Sequence, residues 1–184
     1  MLYHAFQINT HRRIAVALLS LCIISQNVTT PAFAQDSREE AITAAMIYNF
    51  ARFTRWPDGA MIEENQLLTI CVSRASPLRA ALTRIEGKPV HGKPVSIEAI
   101  SSAQEIGTTC QVIVLSPELS AAPFTTSGEG ILYIATDESV APQFASIALV
   151  KIGRQIRFVA NPAAAKSSGV TLSSKLIDLA VSVR

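Results

Sequence analysis

The sequence predicts a single-domain α/β sandwich: a mostly parallel sheet with an antiparallel hairpin at one edge, flanked by helices. Three observations carry the prediction. Short apolar runs alternate along the chain with helical or turn-rich segments, as strands joined by crossovers do. The run 67–72 is apolar almost throughout, which suits a strand buried on both faces of a parallel sheet. Gly153-Arg154, flanked by the strand-like segments 147–152 and 155–159, reads as a two-residue Gly-X hairpin turn.

In chain order, the first 34 residues read as a secretory signal peptide. His11, Arg12 and Arg13 form a basic start, and the apolar stretch 14–24 is too short to cross a bilayer, which takes about 20 residues. Ala32-Phe33-Ala34 is a small-x-small site, so cleavage is expected between Ala34 and Gln35. The alternative, a permanent membrane anchor, is disfavoured by the short run and the good exit site. Leu19-Ser20-Leu21-Cys22 resembles a lipoprotein box, but Leu21 is too large to precede an acylated cysteine, and Cys22 lies inside the apolar stretch.

Removing residues 1–34 leaves a domain over 35–184, long enough for one core. Losing Arg12 and Arg13 takes Lys plus Arg from 16 to 14, equal to the 14 Asp plus Glu. No basic patch or charge run remains to suggest nucleic acid as a partner. His91 becomes the only histidine, which excludes metal or triad sites built on several histidines. It lies in a Gly- and Pro-rich loop and reads as a solvated turn residue. Cys71 and Cys110 remain as an even pair in an oxidising compartment, read first as a disulfide tying two strands of one sheet. Two buried free thiols are the alternative.

Ser37-Arg-Glu-Glu40 is a capping box that opens a helix with Ile42, Met46, Phe50 and Phe53 as its buried stripe. Pro57 is expected to end it by forcing Trp56 out of the helical region, and Asp58-Gly59 to turn the chain. Arg52 and Arg55 fall off the stripe. Next come a strand over 67–72 and a short helix over 77–85, with Pro77 in its first turn and Gly87 ending it. Strands follow over 93–97, 111–115 and 130–135, then a polar turn over 136–139 and a short helical stretch near Phe144. Beyond the hairpin, 162–168 reads as a short helix closed by Gly169. A final helix spans 174–183, with Leu176, Leu179, Ala180 and Val183 on one face.

Catalytic patterns fail one by one. Ser127-Gly-Glu-Gly130 precedes a strand instead of opening a helix, so its amides are not aimed at a phosphate. There is no Gly-x-Ser-x-Gly elbow and no Ser-x-x-Lys pair. Glu63-Glu64 and Asp137-Glu138 are paired acids in polar turns, where carboxylates are ordinarily solvated. The residues alone point to an exported, disulfide-tied binding or interaction domain.

Several segments in colinear order resemble the YfiR-like family. They are Ala44-Ala-Met-Ile-Tyr-Asn-Phe-Ala-Arg-Phe-Thr-Arg-Trp-Pro57, Leu67-Leu-Thr-Ile-Cys-Val72, Gly87-Lys-Pro-Val-His-Gly-Lys-Pro-Val95 and Cys110-Gln-Val-Ile-Val-Leu-Ser116. The tail is the closest match, with Ile156-Arg-Phe-Val-Ala-Asn-Pro-Ala-Ala-Ala165, Gly169 and Leu172-Ser-Ser-Lys-Leu-Ile-Asp-Leu-Ala180.

The resemblance implies regulation without catalysis and without a cofactor. Members are thought to hold an inner-membrane diguanylate cyclase inactive through its periplasmic part, lowering cyclic di-GMP and biofilm formation. An OmpA-like outer-membrane lipoprotein sequesters the repressor. A homodimer in the periplasm is expected, with Cys71 and Cys110 forming the structural disulfide. Well-known members carry a second cysteine pair later in the domain, which this chain lacks. Arg154, Lys175 and Ile177 are the candidate partner contacts, although Ile177 could equally pack in the core. Ser173 and Ser174 read as helix caps. The competing reading is a periplasmic small-ligand-binding protein, such as a solute receptor; a cell-wall enzyme is a third, disfavoured by the missing nucleophile and base.

Overall fold

The structure, a computed structural model of the 184-residue chain, describes residues 32–57, 67–102, 105, 109–120 and 130–184. The expected signal sequence up to residue 31, the turn at Asp58-Gly59 and the acids Glu63-Glu64 lie outside the described residues. The fold is carried by one compact unit, Asp36–Arg184.

Helix α1 spans Ala32–Arg52. It starts before Ser37, so the expected capping box lies inside the helix instead of at its end. Ala32, Ala34 and Gln35 are good helix formers, and extending a helix gains a hydrogen bond for each residue added. Its buried face differs from the expected stripe. Ala44, Ile47, Phe50 and Ala51 are buried, Met46 and Phe53 are partly so, and Ile42 is 43% exposed. The arc has rotated toward the alanines, whose small side chains let the helix lie close on the sheet. The helix also ends four residues earlier than Trp56. Thr54 Oγ1 donates to the Phe50 carbonyl at 2.8 Å, and Thr54–Arg55 form strand β1. Strand pairing, not Pro57, stops the helix.

Strand β2 is Leu68–Ser73, and a turn leads to the short helix α2, Arg79–Thr83. The hairpin of β3, Pro89–Val90, and β4, Lys93–Ile100, follows. Then come β5, Val112–Leu115, with helix α3, Pro117–Ser120, and β6, Leu132–Ala135, with a 3-10 turn at Glu138–Val140. Phe144 lies in a turn and not in the expected helical stretch. Ala145 N–H closes that turn on the Pro142 carbonyl, and Ser146 N–H then joins Tyr133, so the chain is already entering the next strand. Strands β7, Ile147–Ile152, and β8, Gln155–Ala160, form the expected hairpin, with Gly153 at φ 59 in its turn. Helix α4, Pro162–Ser167, is capped by the Asn161 carboxamide and closed by Gly169 at φ 80.

The tail departs most from expectation. Thr171–Leu172 form β9, Ser174–Asp178 form α5, and Ser182–Val183 form β10. The helix is therefore only five residues long, and Leu179 and Val183 are exposed. Its last turn is given up because β8 has an open edge. Val181 N–H and Arg184 N–H donate to Phe158 and Ala160 carbonyls at 2.9 Å each. Ser173 caps α5, its hydroxyl accepting from Leu176 N–H.

The main sheet has the order β10-β8-β7-β6-β5-β2-β4-β3, and β1 pairs separately with β9. Pairing is antiparallel in β3/β4 and β7/β8 and parallel elsewhere in the main sheet. Alternate residues of one strand enter two different cores. Ile70, Val72, Val112, Val114, Leu132, Ile134, Ile147 and Leu149 face the layer holding Ala44, Ile47, Leu82, Ala165 and Leu176. Cys71, Ile113, Leu115, Tyr133, Ala135 and Ala148 face a smaller layer with Ile100, Cys110, Leu119 and Ala145. This double burial is why the strands read as continuous apolar runs.

Candidate functional site

Strand β2 is followed by a connection to β4 on one side, whereas β5 is followed by β6 on the other. Adjacent parallel strands whose connections diverge leave a crevice at their carboxyl ends, the usual ligand position in open α/β sheets. A cleft of about 780 Å³ lies there. It is lined by Ser76 and Pro77 after β2, Ser116 and Pro117 after β5, residues 136–139 after β6, the end of β7, and α1 from Asp36 to Thr43.

The lining has an apolar part, with Leu78, Leu149, Val150 and Ile156, and an acidic part, with Asp36, Glu39, Glu40, Asp137 and Glu138. Lys151 is the single basic residue among the described residues of the lining. Its Nζ donates to Glu39 Oε2 at 2.6 Å, linking β7 to α1. That hydrogen bond, then the Glu39 charge, holds the Lys151 ammonium above its ordinary 10.5. The Asp137 carboxyl is held below its ordinary 3.8, chiefly by the Ser139 hydroxyl and then by the Ser139 N–H. Glu138 pairs with Arg184. Glu40 is half-buried and has no hydrogen-bond or ion-pair partner among the described residues. Ser116 is 6% exposed, and its Oγ has no partner among the described residues.

The cysteines stand on the opposite layer. Cys71 and Cys110 are disulfide-bonded, with Cα atoms 5.8 Å apart and both side chains buried. Cys71 is on β2 and opposes Ile113, and Cys110 sits just ahead of β5. The bridge therefore joins a strand to the lead-in of its neighbour. Gln111 fixes that lead-in: its N–H donates to Thr69 O at 3.0 Å, and its carboxamide oxygen accepts from Thr69 N–H at 2.8 Å.

Arg154 is exposed in the β7–β8 turn and Lys175 is exposed on α5. Ile177 is half-buried against the larger core. No hydrogen bond or ion pair among the described residues joins these three. Exposed apolar residues lie next to them in sequence: Ile152 at 54% beside the turn and Leu179 at 62% after α5. His91, expected to be solvated, is exposed but bonded through Nε2 to the Thr54 carbonyl at 2.9 Å.

The cleft has no local signature in the sequence. The sequence places Asp137-Glu138 in a polar turn and Lys151 inside a strand, where neither marks a cleft. The available signal was positional, since polar residues directly follow the parallel strands at Ser116 and Thr136.

Among the described residues, no helix is long and apolar enough to cross a membrane. A comparison with curated proteins finds no match to the chain. The YfiR/HmsC-like family model matches residues 40–181, taking in strands β1 to β9 and the whole cleft apart from Asp36 and Glu39. The chain therefore belongs to the YfiR/HmsC-like family of periplasmic regulators of diguanylate cyclase signalling, which are regulatory rather than catalytic.

Proposed function

We propose that this protein is an exported repressor that holds an inner-membrane diguanylate cyclase inactive by direct contact, lowering cyclic di-GMP and biofilm formation. The observation that carries the reading is the family match over residues 40–181. Residues 1–34 act as a signal peptide cleaved between Ala34 and Gln35, and the compact unit starting at Asp36 is consistent with that boundary. The repressor works as a homodimer without enzymatic activity, and an OmpA-like outer-membrane lipoprotein relieves it by sequestration.

The contact surface includes Arg154, Lys175 and Ile177. Exposed Ile152 and Leu179 beside them support this, because apolar residues flanked by polar ones suit protein contacts. Deleting the gene in a strain that expresses the cyclase raises cyclic di-GMP; unchanged levels would overturn repression. Arg154→Glu with Lys175→Glu, in a protein of unchanged thermal stability, raises cyclic di-GMP as well. If it does not, the contact lies elsewhere.

A further inference from the structure

We propose that the cleft at the carboxyl ends of β2, β5, β6 and β7 binds a small aliphatic amine carrying more than one ammonium group on a methylene chain. Arg154, Lys175 and Ile177, the contacts proposed for the cyclase, do not line this cleft. Its volume, about 780 Å³, suits a small molecule. Among the described residues of the lining, five carboxylates against one lysine exclude an anionic ligand. A compact divalent cation is disfavoured too, because no three of these carboxylates bring their oxygens within 4.8 Å of one another. Hard cations need converging oxygens. Spaced charges suit a ligand whose own charges are spaced, and Leu78, Leu149 and Ile156 offer an apolar path for the methylenes between them.

Lys151 already displays the chemistry. Its aliphatic stem and ammonium reach along the cleft to Glu39, engaging one carboxylate. Arg184 engages Glu138, and Asp137 is occupied on one oxygen by Ser139. Half-buried Glu40 is left for an incoming cation. The second independent observation is Ser116, a buried residue of the lining whose hydroxyl oxygen has no partner among the described residues. Buried hydroxyls are ordinarily paired, and an ammonium donor entering beside it satisfies the oxygen.

The test is calorimetric titration of spermidine into the protein purified from cells expressing the full chain, at low salt. Saturable binding is expected, weakened about tenfold by Glu40→Gln, as loss of one charge-assisted hydrogen bond implies. Glu98→Gln, an exposed carboxylate on β4 outside the cleft, leaves affinity unchanged. Lys151→Met removes the competing internal ammonium, keeps every acid, and tightens binding. Thermal melts confirm that each variant is folded. No saturable heat at millimolar spermidine, equal weakening by Glu98→Gln, weaker binding by Lys151→Met, or tighter binding of magnesium chloride than of spermidine each overturns the proposal.

Discussion

His91 Nε2 donates to the Thr54 carbonyl at 2.9 Å, tying the β3–β4 turn to strand β1, 37 residues earlier in the chain and paired with β9. A carbonyl only accepts, so this ring nitrogen carries the proton. His91 holds φ 49, in the left-handed region, and its ring meets Trp56 edge-on at 6.0 Å. His91→Ala loses the hydrogen bond and keeps the backbone strain, costing about 1 kcal/mol. His91→Gly loses the same bond but relieves left-handed strain of about 1–2 kcal/mol, partly offset by added freedom in the unfolded chain. Urea denaturation should therefore rank the glycine variant above the alanine variant. The reverse order would mean that the turn is held by something other than this bond.

The Cys71–Cys110 bridge closes a segment with a sequence separation of 39. In the chain-entropy account, a loop of that length contributes about 4 kcal/mol. The double variant Cys71→Ser, Cys110→Ser should lose most of that and expose extra surface in thermal melts. Because the cysteines are 0% and 3% exposed, dithiothreitol should reduce the bridge slowly until denaturant is added. Rapid reduction of the native protein, followed by alkylation at both positions, would show the bridge to be accessible.

Legibility in the sequence followed how locally each choice was made. The runs at β2, β5 and β6 were readable because both faces are buried, so every position carries the same signal. Gly153 marked its hairpin because the turn needs φ 59 there. The tail misled because Leu176, Leu179, Ala180 and Val183 do recur at helical spacing. Its fate was decided by the open edge of β8, a neighbour about 20 residues away that no local pattern reveals. The cleft was invisible for the same reason. Glu39 and Lys151 are 112 residues apart and meet only because the fold brings α1 and the end of β7 to the same cleft.

The rotated face of α1 makes a sharp comparison. Ile47 is fully buried, so Ile47→Ala should cost about 2–5 kcal/mol through lost burial and the cavity left behind. Ile42, 43% exposed, belongs to the stripe expected from periodicity, yet Ile42→Ala should stay within about 0.5 kcal/mol. Chemical denaturation of the two variants distinguishes the faces directly. Equal losses would restore the expected stripe.

Asp137 gives the acid limb of stability a direction. Its carboxylate accepts from Ser139 N–H at 2.8 Å and from the Ser139 hydroxyl at 2.7 Å, and these bonds favour the ionised form. The folded-state value is therefore lowered from 3.8, and the unfolded chain binds the proton more readily than the fold does. The resulting stabilisation is present above 3.8 and is lost as pH falls through the lower folded value. Asp137→Asn removes that dependence. Stability measured from pH 7 down to pH 2 should fall less steeply in the variant below about pH 4. Parallel curves for the two proteins would mean that Asp137 titrates alike in the folded and unfolded chain, and that its bonds to Ser139 are not kept in solution.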